Sequence, residues 1–262
     1  MPRFAANLSM LFTEQLFLDR FAAAATAGFP AVEYLWPYAH PAEVLAGRLE
    51  DAGLQQVLFN SPSGDTDGGE RGLAAAPGRE EEFRRGIDTA LTYAAALRCP
   101  RVHVMAGVLG PGVDRERAAD TYRSNLTAAL DTTRGSGVTL LIEPINGDDM
   151  PGYFLRTLDQ AQAVVDELAD PGLAIQLDWY HAVRTEPDVV AATRRHLPAT
   201  AHVQLAGVPG RHEPDVGDVD YPGLFALVDE LGYDGWVGCE YHPRGRTEDG
   251  LGWLPRRAGP AG

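Results

Sequence analysis

Apolar and polar positions alternate along this chain in two rhythms. Short, nearly continuous apolar runs predict strands over Phe4–Leu8, Ala31–Leu35, Leu54–Asn60, Val102–Ala106, Val138–Glu143, Leu173–Asp178, His202–Leu205 and Trp236–Glu240. Between them the apolar positions recur three and four residues apart, which places them on one face of a helix. Phe83, Ile87, Ala90, Leu91, Ala94 and Leu97 make one such stripe, and Ala118, Tyr122, Leu126 and Leu130 make another. Asp114 is placed to cap the second helix, because a short carboxylate ahead of the first turn accepts from its free N–H groups. Thr157 followed by Gln160 reads as a capping box that opens a helix carrying Leu158, Ala161, Val165 and Leu168. Pro187 suits the first turn of the next helix. Leu224, Leu227, Val228 and Leu231 form the last stripe, closed by Gly232.

Eight strand-then-helix units in a chain of 262 residues predict an α/β fold, a closed parallel (β/α)8 or TIM barrel, as a single domain spanning 1–262. A doubly wound open sheet is the alternative. A dinucleotide-binding sheet of that kind needs Gly-x-Gly-x-x-Gly after its first strand, and that motif is missing here. The stretch Ser61–Gly78 follows the third strand and is rich in Gly and Asp. Loops of that length inside a compact domain usually serve function.

Composition narrows the chemistry. The formal net charge is -15, which disfavours a nucleic-acid surface, since phosphate binding draws on clustered cations. It leaves room for a small anion captured by one arginine in a pocket. All 22 basic residues are arginine, so a lysine Schiff base is excluded. Cys99 and Cys239 are the only cysteines; two are too few for a disulfide framework or a thiolate metal site, and both are expected as buried core thiols. No apolar run approaches the roughly 20 residues of a membrane helix, and the N-terminus lacks a signal-peptide pattern. The expectation is a cytoplasmic protein with no membrane partner, and a homo-oligomer is compatible with everything above.

In a barrel of this kind the active site lies at the C-terminal ends of the strands. Strand five ends on Glu143, strand six on Asp178, strand seven near Gln204 and strand eight on Glu240. Carboxylates at the ends of apolar strands are costly to bury, and several converging on one rim repel each other; a divalent cation relieves both problems. Three carboxylates and one amide oxygen form a hard ligand set, suited to one Mg²⁺ or Mn²⁺. His181, three residues after Asp178, and Arg211, just after strand seven, are the adjacent candidates for binding substrate. A guanidinium forks onto a carboxylate, and an imidazole hydrogen-bonds a hydroxyl or carbonyl. His103, inside strand four, is expected as a buried, hydrogen-bonded core histidine, and His212 and Glu213 are not separable from loop structure.

At these residues the sequence resembles the hydroxypyruvate isomerase family of the xylose-isomerase-like barrels. The matching stretches are Phe4-Ala5-Ala6-Asn7-Leu8, Gly69-Glu70-Arg71-Gly72-Leu73, Glu143-Pro144-Ile145-Asn146, Met150-Pro151-Gly152-Tyr153-Phe154-Leu155 and Pro209-Gly210-Arg211-His212-Glu213-Pro214. The resemblance implies that Glu143, Asp178, Gln204 and Glu240 hold one divalent ion, that Glu143 and Glu240 also act as acid and base, and that His181, Arg211 and Asp149 contact substrate. Two places depart from the family pattern: Val183 stands where a Gln is common after Asp-x-Tyr-His, and Ala206-Gly207 stands where Ala-Asp is usual.

The implied reaction interconverts hydroxypyruvate and tartronate semialdehyde by proton transfer through an enediolate, on a small hydroxy-keto acid or short sugar. The alternatives on the same scaffold are a 2-oxo-tetronate isomerase or a ketose 3-epimerase. A DNA-repair endonuclease would need more histidine ligands and a basic groove. A non-catalytic carbohydrate-binding protein would have no use for four converging ligands.

Overall fold

The computed structural model describes residues 1–254; the last eight residues of the expected 1–262 domain lie outside the described residues. Eight parallel strands close into a barrel in sequence order. They are β1 (Arg3–Asn7), β2 (Ala31–Glu33), β3 (Gln55–Asn60), β4 (Arg101–His103), β5 (Thr139–Ile142), β6 (Leu173–Asp178), β7 (Thr200–Leu205) and β8 (Trp236–Cys239). Closure comes from β1 pairing with β8, Arg3 opposite Trp236 and Ala5 opposite Gly238. Most strands are shorter than their apolar runs suggested. Their last residues, among them Glu143 and Glu240, have left the ladder and turned into the rim.

The helices are α1 (Arg20–Thr26), α2 (Ala42–Ala52), α3 (Glu80–Leu97), α4 (Arg115–Thr133), α5 (Leu158–Leu168), α6 (Trp179–Thr185), α7 (Val189–His196) and α8 (Tyr221–Glu230). The expected stripes face the barrel: Phe83, Ile87, Ala90, Ala94 and Leu97 of α3 are buried, as are Ala118, Tyr122, Leu126 and Leu130 of α4. Asp114 caps α4, accepting from Arg117 N–H at 2.9 Å. Thr157 caps α5 through Gln160 N–H, while the Gln160 side chain reaches back one residue further than a capping box requires and accepts from Arg156 N–H. The sequence reading of Pro187 needs correcting. An unforeseen short helix, α6, follows β6 directly, and Pro187 precedes the α7 cap, Asp188, whose carboxylate takes the first N–H groups. After β8 the described residues make only a 3-10 helix, Thr247–Trp253. Among the described residues no helix is long and apolar enough to cross a membrane.

Two apolar layers result. The larger lies between strands and helices. The smaller fills the barrel's N-terminal half, with Ala5, Ala31, Val57, Leu58, Leu141 and Trp236 packed together. Cys99 and Cys239 are buried free thiols, as expected. Side chains two apart on a strand share a face, so the residues two steps on from this plug also point inward: Asn7, Glu33, Glu143, Gln176 and Gly238. The barrel interior is therefore apolar at one end and polar at the other. Glu33, 1% exposed, sits at the boundary. It accepts from Asn7 Nδ2 at 3.1 Å, His202 Nε2 at 2.7 Å and Gln204 Nε2 at 2.8 Å. Its carboxylate fits because β8 carries Gly238 alongside; a Cβ at that position would run into the Glu33 carboxyl group.

Gly238→Ala is thus expected to displace Glu33 and destabilise the fold by about 1–3 kcal/mol, the usual cost of overpacking a core. Urea unfolding would measure it. In a Glu33→Ala background the same substitution should cost much less, since neighbours in contact are not additive; equal costs in the two backgrounds would show that the two groups do not compete for space.

Candidate active site at the C-terminal rim

The expected site residues come together at one end of the barrel. A cavity of about 200 Å³ is lined by Glu143, Asp149, His181, Arg211 and Glu240, with Arg71 and His103 also on its wall. A wider, mainly apolar groove of about 700 Å³ runs along the outside beside Phe225 and Trp253; it contains none of the residues expected to carry chemistry.

Glu143, Asp178 and His181 are buried and each offers an atom within 4.8 Å of the others, so this triad could hold a metal. Asp178 is used twice. Oδ1 accepts from Tyr180 N–H at 2.9 Å and so caps α6, whereas Oδ2 is buried without a hydrogen-bond partner. An unpartnered buried carboxylate oxygen is expensive in a protein and is what a cation site requires. Burial, then the charges of Glu240 and Asp178, push the Glu143 carboxyl well above the usual carboxylate range. Burial likewise raises Asp178 and Glu240, with the Arg211 charge offsetting part of the effect for both. Carboxyls raised in this way are costly to keep ionised, and a cation joining them removes that cost. The structure's own donor set therefore fits a divalent ion.

One cation already faces this wall. Arg211 Nη2 lies 3.3 Å from Glu240 Oε1 and 3.7 Å from Asp178 Oδ2, and its guanidinium stacks on Tyr180 at 4.7 Å. Burial acts against the Arg211 charge, but Glu240, Asp178 and Glu143 outweigh it and raise the guanidinium further. The loop that carries Arg211 is folded tightly: Gly207 N–H donates to the His212 carbonyl at 2.7 Å, His242 N–H to the Arg211 carbonyl at 2.7 Å, and Arg211 itself takes a left-handed φ of 55°.

His181 has a defined orientation. Asn146 Oδ1 accepts from Asp148 N–H and Asp149 N–H, both at 3.0 Å, which fixes the amide; its Nδ2 then faces Asp149 Oδ2 at 3.2 Å and His181 Nδ1 at 2.7 Å. An amide nitrogen only donates, so His181 Nδ1 is the acceptor and the ring proton sits on Nε2. That Nε2–H points at Asp178 Oδ2 and Glu143 Oε1, 3.6 and 3.8 Å away. Burial, with Arg211 and Arg184 nearby, holds the ring well below its ordinary pKa and so neutral.

Gln204 lies beneath the rim. Glu33 can only accept, so it takes the amide nitrogen of Gln204 and turns Oε1 away from itself. Gln176 Nε2 bridges this Oε1 at 2.6 Å and Glu143 Oε2 at 3.0 Å. His103 is buried as expected but stands against the site, with Nδ1 3.4 Å from Glu143 Oε2 and Nε2 without a partner. Burial pushes its pKa down to about 3, leaving it neutral. Glu213 is a loop residue: it accepts from the Arg244 backbone N–H at 3.1 Å. The sequence reading missed Glu33, Gln176 and Asn146. The first two could have been found by counting inward in steps of two from the strand ends.

The long loop after β3 is packed onto the rim, with Ser61, Ser63, Leu73, Ala74 and Ala75 buried. Gly72 bridges to Ala106, and Asn125 Nδ2 donates to the Ala74 carbonyl.

Residues 21–257 match the family model described as xylose isomerase-like TIM barrel. The chain is 54% identical to the 2-oxo-tetronate isomerase of Cupriavidus necator over 97% of this chain and 98% of that protein. It is 41% identical to the hydroxypyruvate isomerase of Escherichia coli, again over 97% and 98%. Among solved structures, one titled AP endonuclease, family 2, from Brucella melitensis superposes with a TM-score of 0.95 at 49% identity, covering 97% of this chain and 98% of that one. The chain belongs to the xylose isomerase-like TIM-barrel family and stands among its isomerases.

Proposed function

We propose that the chain is a metal-assisted isomerase of short 2-oxo hydroxy acids, moving the carbonyl from C2 to C3. Its favoured substrate is the four-carbon acid 2-oxo-tetronate, with hydroxypyruvate the three-carbon second reading. The observation that carries the chemistry is the buried carboxylate set at the ends of β5, β6 and β8, with Asp178 Oδ2 unpartnered. Substrate order follows the relatives: those named for the four-carbon acid are 45–54% identical, and those named hydroxypyruvate isomerase or putative hydroxypyruvate isomerase are 40–44% identical. Sequence reasoning placed the three-carbon acid first; the bond changes are the same for both.

Glu143, Asp178, Gln204 and Glu240 would hold one Mg²⁺ or Mn²⁺, Gln204 through the amide oxygen that Glu33 turns away from itself. A divalent ion bound there would act as a Lewis acid toward the substrate's carbonyl and adjacent hydroxyl, acidifying the carbon-bound proton. One of Glu143 and Glu240 takes that proton from C3, and the enediolate is protonated at C2. The hydroxyl proton leaves the C3 oxygen as the new carbonyl forms, and the C2 oxygen gains one. His181 Nε2–H, directed at this region by Asn146, donates to a substrate oxygen during that exchange. A small cavity and a net charge of -15 both favour a small acid over a DNA substrate.

Three outcomes are expected. Elemental analysis should find one Mg²⁺ or Mn²⁺ per chain, strongly reduced in Glu240→Gln; equal metal content in both proteins would remove Glu240 from the ligand set. Asn146→Asp should accept a proton from His181 Nδ1 and so reverse the tautomer, which ¹⁵N chemical shifts of the imidazole would report together with a fall in kcat of about 10²-fold, the scale of losing one general acid. A reversed tautomer with unchanged kcat would exclude the Nε2–H from the chemistry. Turnover in D2O should place solvent deuterium on the product carbon. Complete retention of the original hydrogen over many turnovers would indicate a hydride shift instead of an enediolate.

A further inference from the structure

We propose that Arg71 grips the substrate's carboxylate and makes the site select acids over neutral sugars. This rests on the acid-isomerase reading above and assigns the acid-binding end of the same cavity.

The cavity has two unlike walls. Glu143, Asp149 and Glu240 line one side, together with Arg211. Arg211 is engaged there, close to Glu240 and Asp178 and stacked on Tyr180. The ion proposed for this wall would take the substrate's hydroxyl and carbonyl oxygens, which leaves the carboxylate to the other side of the cavity. The opposite wall, built from the ends of β2, β3 and β4 and the loop after β3, contributes Trp36, Asn60 and Met105, and Arg71 is its charged residue. The chain has no lysine. Arg71 is thus the cation that the acidic wall does not already occupy.

Its placement is built into the loop. Gly72, with φ of 122°, lies so close to β4 that a Cβ would strike the Met105 carbonyl, and Ala75 N–H donates to the Ala106 carbonyl at 2.8 Å. On the other side, Glu70 is clamped by Arg79 at 2.6 Å and by Asp65 N–H at 2.6 Å. Arg71 is held between these two anchors. Its Nη1 donates to the Thr66 and Glu70 carbonyls at 2.8 and 2.7 Å, which orients the guanidinium, and among the described residues it forms no ion pair. The Nη2 and Nε edge is left for a ligand, and that edge is the planar fork that matches a carboxylate. A hydroxy-oxo acid would then lie across the cavity, its hydroxyl and carbonyl toward Glu143, Asp178 and Glu240 and its carboxylate on Arg71.

The test uses metal-loaded protein and two unreactive probes, tetronate (2,3,4-trihydroxybutanoate) and the neutral tetritol of the same length, with affinities measured by calorimetry. Wild type should prefer tetronate. Arg71→Gln should weaken tetronate by about 10- to 100-fold, as expected for a hydrogen-bonded charge, and leave the tetritol within about threefold. Arg79→Met loosens one of the two anchors of Arg71 but keeps the guanidinium, so it should weaken tetronate less than Arg71→Gln does and leave the tetritol within about threefold; an equal loss of both probes in Arg71→Gln would mark loop damage and overturn the assignment. If wild type prefers tetronate and Arg71→Gln keeps that preference, the assignment of Arg71 is overturned while the acid-isomerase reading stands. If wild type neither prefers tetronate nor turns over 2-oxo acids, the acid reading itself falls, and the role of Arg71 with it.

Discussion

Four carboxylates, Glu33, Glu143, Asp178 and Glu240, are each at most 5% exposed inside one barrel, and the rest of the site is arranged around the cost of keeping them there. Taking one ionised carboxyl out of water costs several kcal/mol without a partner. The chain answers differently at each depth. Deep in the barrel, Glu33 receives three donors from β1 and β7 and a space cleared by Gly238 on β8. At the rim, Glu143 receives Gln176, and Glu240 and Asp178 receive Arg211. One oxygen, Asp178 Oδ2, has cationic and imidazole neighbours at 3.7 and 3.6 Å but no hydrogen bond. A cluster that is satisfied except at a single buried atom is the arrangement a cation completes.

The same cost explains the neutral histidines. An imidazolium beside these carboxylates would appear a simple remedy, yet burial holds both His103 and His181 below their usual range. His181 consequently keeps one ring proton, and the Asx turn at Asn146 decides which nitrogen bears it. A turn that looks like local backbone chemistry thereby sets the direction of a hydrogen bond into the site.

Much of this was legible in the sequence, because two simple periodicities carry it. The two-residue period of the strands and the three-to-four-residue period of the helices gave eight strands and the faces of α3 and α4, and the ends of the apolar runs named Glu143, Asp178, Gln204 and Glu240. The stripe of the last helix held for Leu224, Leu227 and Val228 but not for Leu231, which is exposed. What stayed hidden has a common cause. Glu33 sits within the apolar run Ala31–Leu35 and reads as a strand residue; its role depends on Asn7, His202 and Gly238, brought together only by barrel closure. Arg71 lies in a polar loop without periodicity, and only the contact of Gly72 with β4 aims it at the cavity. Helix α6 is only about two turns long, Trp179–Thr185, and is capped by the very Asp178 that the strand pattern claimed, so its start was masked by the strand's end.

The two departures from the family pattern are not equivalent. Val183 is a half-buried residue on α6, and nothing in the structure ties it to the chemistry. Gly207 is different. A Cβ there would collide with the carbonyl oxygens of Glu213 and Val216, so the usual Asp could not be accommodated unless the loop after β7 were lifted. That loop carries Arg211, whose guanidinium reaches Glu240 and Asp178 because the backbone folds back at Gly207 and is tied to His242. Glycine at 207 therefore draws the arginine onto the carboxylate wall. With Arg211 engaged on that wall, the acid substrate proposed above would meet its counter-charge across the cavity, on the loop after β3.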